Sequence, residues 1–310
     1  MEKKYIAVFL LVVISAASLV SGQALAESND MIILGEADWP GIRAKNAVAV
    51  HVLETIGYSV ETQTGADPIM YQGLAQGDID AYLGSWMPSM ENTRKELKDK
   101  INVVATNMDE GIYTMAVPEY VWEAGVRSYA DLDKHADKFN HKMYVGPAGW
   151  ASSKTMAKAV KKDIYGLGDW QAVNSSQSAM MAQVKRSVRR EEWIVFIGWQ
   201  PHWMNYILDI KYLKDPKGLW VSPESWVDTI TRTGFKEDHP EVNKFLKQFK
   251  VDVEANDKWI YEVGKNSRDS KEVAREWITE NMDVVKGWLE GVKAQNGKKA
   301  AEVLEEKLTE

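Results

Sequence analysis

The chain has 310 residues, a formal net charge of -7 and no cysteine. An acidic chain without basic blocks is a poor partner for nucleic acid. The missing thiols exclude disulfides, thiolate catalysis, cysteine metal sites and a cysteine-linked lipid anchor. Thirteen tryptophans are the outlier in this composition and have to be divided between core and function.

Residues 1–26 read as a cleaved secretory signal. Lys3 and Lys4 precede an apolar run from Ile6 to about Val20, and Ala24-Leu25-Ala26 has the small-x-small form of a signal peptidase site. The run is shorter than the ~20 residues a bilayer requires, and Ser15 and Ser18 weaken it as an anchor. No later stretch is apolar and long enough to span a membrane, so no stable membrane insertion is expected. The expected product is an exported monomer that diffuses freely in the periplasm.

From Met31 short apolar strands alternate with amphipathic helices. "MIILGE" reads as a strand, and residues 42–56 place Ala44, Ala47, Val48, Val52 and Ile56 at helical spacing. "YSVETQT" is a second strand, Pro68 opens a helix to Gln76, "DAYLG" is a strand and "INVVAT" another. "YTMAVP" and "KMYVGP" follow as strands, residues 152–164 and 177–190 as helices, and "WIVFIGW" as a buried strand. A strand is expected near residues 227–233, then helices over 240–249 and 271–292. The charged tail from Lys293 reads as a solvated helix.

This alternation predicts an α/β fold with largely parallel sheets. No linker separates the halves, which suggests that the chain crosses between two lobes more than once. One lobe is placed at residues 27–112 with 209–310, the other at 113–208, with the crossings acting as a hinge. A cleft between them is the expected ligand site.

Four tryptophans stand at the carboxyl ends of expected strands, where open α/β sheets bind ligands. Trp39 follows "MIILGEAD", Trp86 follows "DAYLGS", Trp150 follows "YVGPAG" and Trp199 follows "IVFIG". Tyr113 stands at the first crossing. Trp122, Trp170, Trp193, Trp259, Trp277 and Trp288 lie within or beside helices, where packing is the expected role. A cage of ring faces suits a quaternary ammonium, which has no N–H to donate and spreads its charge over methyl groups. Each desolvated face contributes up to about 2 kcal/mol, so three or four supply much of the ~8 kcal/mol of micromolar affinity.

The segments "EADWPGI", "DAYLGSWMP", "GIYTMAVP", "GPAGWAS" and "GWQPHWMNYILDIKYLKDP" together resemble the substrate-binding proteins of ABC importers for glycine betaine, choline and related quaternary amines. The resemblance runs over nearly the whole chain after the signal. It implies a two-lobe periplasmic binding protein of type II that closes on its ligand and serves a permease with its ATPase, without cofactor or metal. It also implies a cation cage of Trp39, Trp86, Tyr113, Trp150 and Trp199. Trp39 and Tyr113 match a choline-binding branch, and Trp150 a proline betaine branch. The choline branch carries an aspartate where this chain has Gly41, which argues against choline as the preferred ligand and for a betaine, with a choline- or carnitine-specific binding protein as the alternative.

A betaine carboxylate needs donors. Gly41 with Ile42, and Ala151 with Ser152, open expected helices whose free N–H groups form anion sites, and His202 is a further candidate donor. An enzyme is the rival class, yet the chain holds no nucleophile elbow, no H-E-x-x-H and no phosphate-cradling glycine loop. The five histidines lack metal-ligand spacing. The ligand-binding half of a sensor would share the same sequence features.

Overall fold

The computed structural model describes residues 31–220 and 224–309. The expected signal lies outside them. Strands β1 (Met31–Ala37), β2 (Ser59–Gly65) and β3 (Ala81–Met87) form a parallel set in the order β2-β1-β3. Parallel pairing needs crossovers, and the helices Pro40–Thr55 and Asp67–Gln76 supply them. Both begin with proline in the first turn, where its missing N–H removes no helical bond.

Strand β4 (Ile101–Pro118) is one strand of 18 residues where the sequence suggested two. The polar stretch Asn107-Met108-Asp109-Glu110 does not end it, because register shifts against β9 (Glu224–Arg232) absorb the interruption, and Glu110 takes a left-handed φ of 66°. The first part of β4 pairs antiparallel with β9, and residues 112–116 pair with β7 (Phe196–Gln200). Strand β5 (Lys142–Gly146) lies parallel to β7 and to β6 (Gln171–Asn174). The short β8 (Ile210–Tyr212) pairs with the end of β4. The full order is β2-β1-β3-β9-β4-β7-β5-β6.

Two hydrophobic cores lie along this sheet. The first gathers β1 to β3 with the helices Pro40–Thr55, Pro240–Gln248 and Ser270–Glu280. The second gathers the end of β4, β5 and β7 with the helices Ala151–Lys161 and Gln177–Arg189, and includes Leu213 and Trp220. Trp86 and Trp150 pack against both cores.

The helix expected over 271–292 is two helices, Ser270–Glu280 and Met282–Trp288. Asn281 between them leaves helical geometry while its side chain donates to the Trp277 carbonyl at 2.8 Å. The tail helix Ala300–Thr309 buries Ala300, Val303 and Leu304 rather than standing wholly in solvent.

Lys45, on the helix Pro40–Thr55, is the unexpected interior residue. It is 1% exposed, and its ammonium donates to Asn107 Oδ1 at 2.5 Å. Burial lowers its pKa to about 7.

Candidate functional site

Strand alternation aims the first wall of the site. On β3, Tyr82, Gly84 and Trp86 occupy alternate positions, and the Tyr82 phenol lies across Gly84. A Cβ at Gly84 would stand 2.6 Å from the Tyr82 hydroxyl, so only glycine leaves that path open. Trp39 stands two residues beyond the end of β1, directly before the helix Pro40–Thr55.

Three further rings arrive from the other core. Tyr113 lies on β4 opposite Trp199 of β7. Trp150 precedes the helix Ala151–Lys161 and rests on Gly146, whose φ of +77° and closeness to the ring exclude a side chain there. The loop under Trp150 is fastened by Ser153, whose hydroxyl donates to the Pro147 carbonyl and accepts from Asn174, each at 2.7 Å. The Met87-Pro88 and Gln200-Pro201 bonds, one residue beyond Trp86 and Trp199, are cis.

Together Trp39, Trp86, Tyr113, Trp150 and Trp199 line one hollow of about 460 Å³, its open mouth included, with Asp67, Gly84, Ser89, Met90 and Ala151. Successive centroids from Trp39 through Trp86, Tyr113 and Trp199 to Trp150 are 5.9, 5.8, 6.5 and 5.3 Å apart. The planes meet at 78, 53, 73 and 84°, so neighbouring rings stand as adjoining walls rather than as a stack. Trp220 continues the series behind Tyr113 at 5.3 Å. The Tyr113 hydroxyl donates to Ser152 Oγ at 3.0 Å, and Ser152 in turn donates to the Val145 carbonyl at 2.8 Å. Burial raises the Tyr113 pKa, keeping it a neutral phenol.

The expected carboxylate donors separate. Ala151 lines the hollow, and its helix start has no side-chain cap. Ser152 lies directly behind, with its hydroxyl engaged as above. Gly41 and Ile42 are buried instead, Gly41 packed beneath the Trp39 ring and Ile42 in the first core. His202 is fully buried beside Trp199, at 4.5 Å between centroids. Its Nδ1 accepts from the Met204 N–H at 3.1 Å, and its Nε2 lies 3.0 Å from the Gln177 amide nitrogen. Burial lowers its pKa to about 3, with Lys185 adding to the effect. Both nitrogens are thus engaged away from the residues that line the hollow.

Sequence reading missed Asp67. It opens the helix Asp67–Gln76, where an acidic residue needs no further explanation, yet its carboxyl reaches the hollow and accepts from the Tyr82 hydroxyl at 2.5 Å. Burial raises its pKa, and hydrogen bonds from Tyr82 and Trp39 oppose the rise. Among the described residues no group of His, Asp and Glu is arranged to hold a metal, and no helix is long and apolar enough to cross a membrane.

This α/β arrangement is that of the type II periplasmic binding proteins. A choline-binding protein of an ABC transporter, solved in complex with choline, superposes with a TM-score of 0.87 at 27% identity over 91% of this chain and 99% of its own. The lactococcal glycine betaine-binding protein in its closed, liganded form superposes at 0.77 with 26% identity, covering 84% and 99%. A glycine betaine/carnitine transport binding protein of Listeria monocytogenes is 36% identical over 129 residues, 42% of each chain. Residues 30–280 match the family described as the substrate-binding domain of ABC-type glycine betaine transport systems, and the chain belongs to that family. It is a family of transport substrate-binding proteins rather than of enzymes.

Proposed function

We propose that the five-ring hollow captures the onium head of a quaternary ammonium compound in the periplasm, and that the loaded, monomeric protein delivers it to the permease of an ABC importer. The observation that carries this reading is the convergence of Trp39, Trp86, Tyr113, Trp150 and Trp199, from separate segments, around one hollow. Rings set at 53 to 84° to one another surround a cation from several sides, which no stack of rings achieves. The similar proteins solved with choline and with glycine betaine support the same ligand class.

The two cores act as lobes in this reading, with β4 as a crossing between them. Trp86 and Trp150 pack against both cores, so opening the lobes would dismantle the cage. The ligand's remaining arm points toward Ala151 and Asp67. No group arranged for catalysis enters the proposal. The test is calorimetry with tetramethylammonium, which presents an onium and nothing else. Binding that is lost in Trp199→Ala is expected; a wild-type protein that ignores tetramethylammonium, choline and glycine betaine alike would refute it.

A further inference from the structure

We propose that Asp67 decides which onium the hollow retains, favouring compounds whose second arm ends in a hydrogen-bond donor, such as the amino alcohol choline, over betaines, whose arm ends in a carboxylate. The inference rests on the cage reading above and adds a rule for the ligand's other end.

Asp67 is the one carboxyl among the described residues lining the hollow, where it faces the same space as the five rings. A carboxylate accepts about four hydrogen bonds. The Tyr82 hydroxyl and the Trp39 side chain supply donors from the wall, which leaves capacity for a ligand donor. A negative charge here also favours any cation held by the rings, whereas a second carboxylate is repelled by it.

The helix start at Ala151 does not offer a betaine an escape from this repulsion. The loop before Ala151 rests on the start of the helix that carries Asp67: a Cβ at Gly149 would lie 3.6 Å from Pro68 and 3.9 Å from Ala66. A ligand carboxylate drawn to the Ala151 and Ser152 N–H groups therefore comes to the neighbourhood of Asp67. Gly41 and Ile42, the alternative anion site, lie behind the Trp39 ring.

The other titratable groups that act on Asp67 are Tyr71 on its own helix, Tyr82 on β3, Tyr113 on β4 and Lys154 on the helix Ala151–Lys161. The tyrosines are held neutral by burial, and Lys154 is exposed, so its attraction is screened. Burial raises the Asp67 pKa above its ordinary value, so the protonated form becomes easier to reach as the pH falls. An amino-alcohol cation favours the ionised form, whereas a betaine binds more readily once Asp67 has taken up a proton and become a donor. The two ligand classes should therefore respond to pH in opposite directions.

The experiment is calorimetry on the full chain with tetramethylammonium, choline and glycine betaine at several pH values between 5 and 8, on the wild type and on Asp67→Asn. Choline is expected to bind about tenfold or more tightly than glycine betaine at pH 8, the strength of one charge-assisted hydrogen bond. Choline affinity should rise with pH and betaine affinity fall. In Asp67→Asn, whose amide oxygen still accepts from Tyr82, the preference should shrink by about the same factor and both pH slopes flatten. Tighter binding of betaine than choline at pH 8, parallel pH slopes, or an unchanged ratio in the variant overturns the proposal. The slopes of the wild type decide alone if the variant does not fold. Tetramethylammonium separates the failures: its binding with no Asp67 effect sinks this inference only, and failure of all three compounds to bind sinks the cage.

Discussion

Two groups of tryptophans in this chain share pair geometry and differ in what they surround. In the first core, Trp259 meets Trp277 edge-on at 4.8 Å and Trp277 stacks on Trp288 at 5.6 Å, all three rings being buried. Around the hollow, pairs at 5.3 to 6.5 Å stand at 53 to 84°, so the edge-on contact of Trp259 with Trp277 recurs there. Ring contacts alone therefore do not mark a site. What differs is the backbone beneath: the three core tryptophans sit on helices that press together, whereas Trp39 and Trp86 lie at strand ends of the first core and Trp150 and Trp199 come from the second. Their rings meet across a space that neither core fills.

The largest expected effect tests the core side of that contrast. Trp259→Ala removes a ring that is 1% exposed and should destabilise the protein by about 3–5 kcal/mol, read as a lowered denaturation midpoint. The folded fraction should still bind tetramethylammonium with unchanged affinity. Weakened binding at an unchanged midpoint would dissolve the distinction.

Trp86→Ala tests the other side. Loss of one cage face should weaken onium binding by about 30-fold, or about 2 kcal/mol. Its effect on stability should be smaller than that of Trp259→Ala, since Trp86 is only partly buried and its indole N–H is a buried donor with no partner. A midpoint shift as large as that of Trp259→Ala, with little loss of affinity, would make Trp86 another core residue.

The same contrast explains what the sequence made legible. Strand ends carry their own signal: tryptophan, x and proline close the runs at Trp86 and Trp199, while Trp39 and Trp150 each stand between an expected strand and an expected helix, so four of the rings were nameable from strand ends and Tyr113 from its place at the first crossing. Asp67 carried none, because an acid in a first helical turn is ordinary, and what makes it unusual is a contact with Tyr82 from the next strand. His202 misled for the converse reason: a histidine beside two cage tryptophans looks like a ligand donor, and only its contacts with the Met204 N–H and Gln177 show where its nitrogens are engaged. The two helix starts looked alike in sequence, and packing under the Trp39 ring is what sets Gly41 and Ile42 apart. Within the fold, alternation between helix and strand was plain. The bulges that carry β4 through a polar stretch were not, since they depend on β9, more than 100 residues away.

Proton linkage offers a sharper separation of interior from hollow. Lys45 has a folded pKa lowered to about 7 by burial, against 10.5 when exposed, so above pH 7 the unfolded chain holds the extra proton. Stability should therefore rise with pH from about 7 toward 10.5, by on the order of 1 kcal/mol per unit. In Lys45→Met the dependence on pH should flatten in this window, as followed by urea unfolding at pH 7, 8 and 9. Tetramethylammonium affinity should stay constant over the same range, because Lys45 belongs to the core and not to the hollow. An affinity that tracks Lys45 instead would couple the two regions.

The smallest expected effect concerns Ser152, where core and hollow share one side chain. Its hydroxyl accepts from Tyr113, a cage wall, and donates to the Val145 carbonyl in the sheet behind. Ser152→Ala keeps the backbone N–H at the helix start and removes only this bridge. Stability should fall by about 1 kcal/mol, the net value of a typical hydrogen bond. The Tyr113 ring remains wedged between Trp86, Trp199 and Trp220, so onium affinity should change by less than threefold, about 0.6 kcal/mol. A larger loss for tetramethylammonium would show that the Tyr113 face is aimed by its hydroxyl rather than by its neighbouring rings, and the cage would then depend on a hydrogen bond from the second core as well as on the aromatic walls themselves.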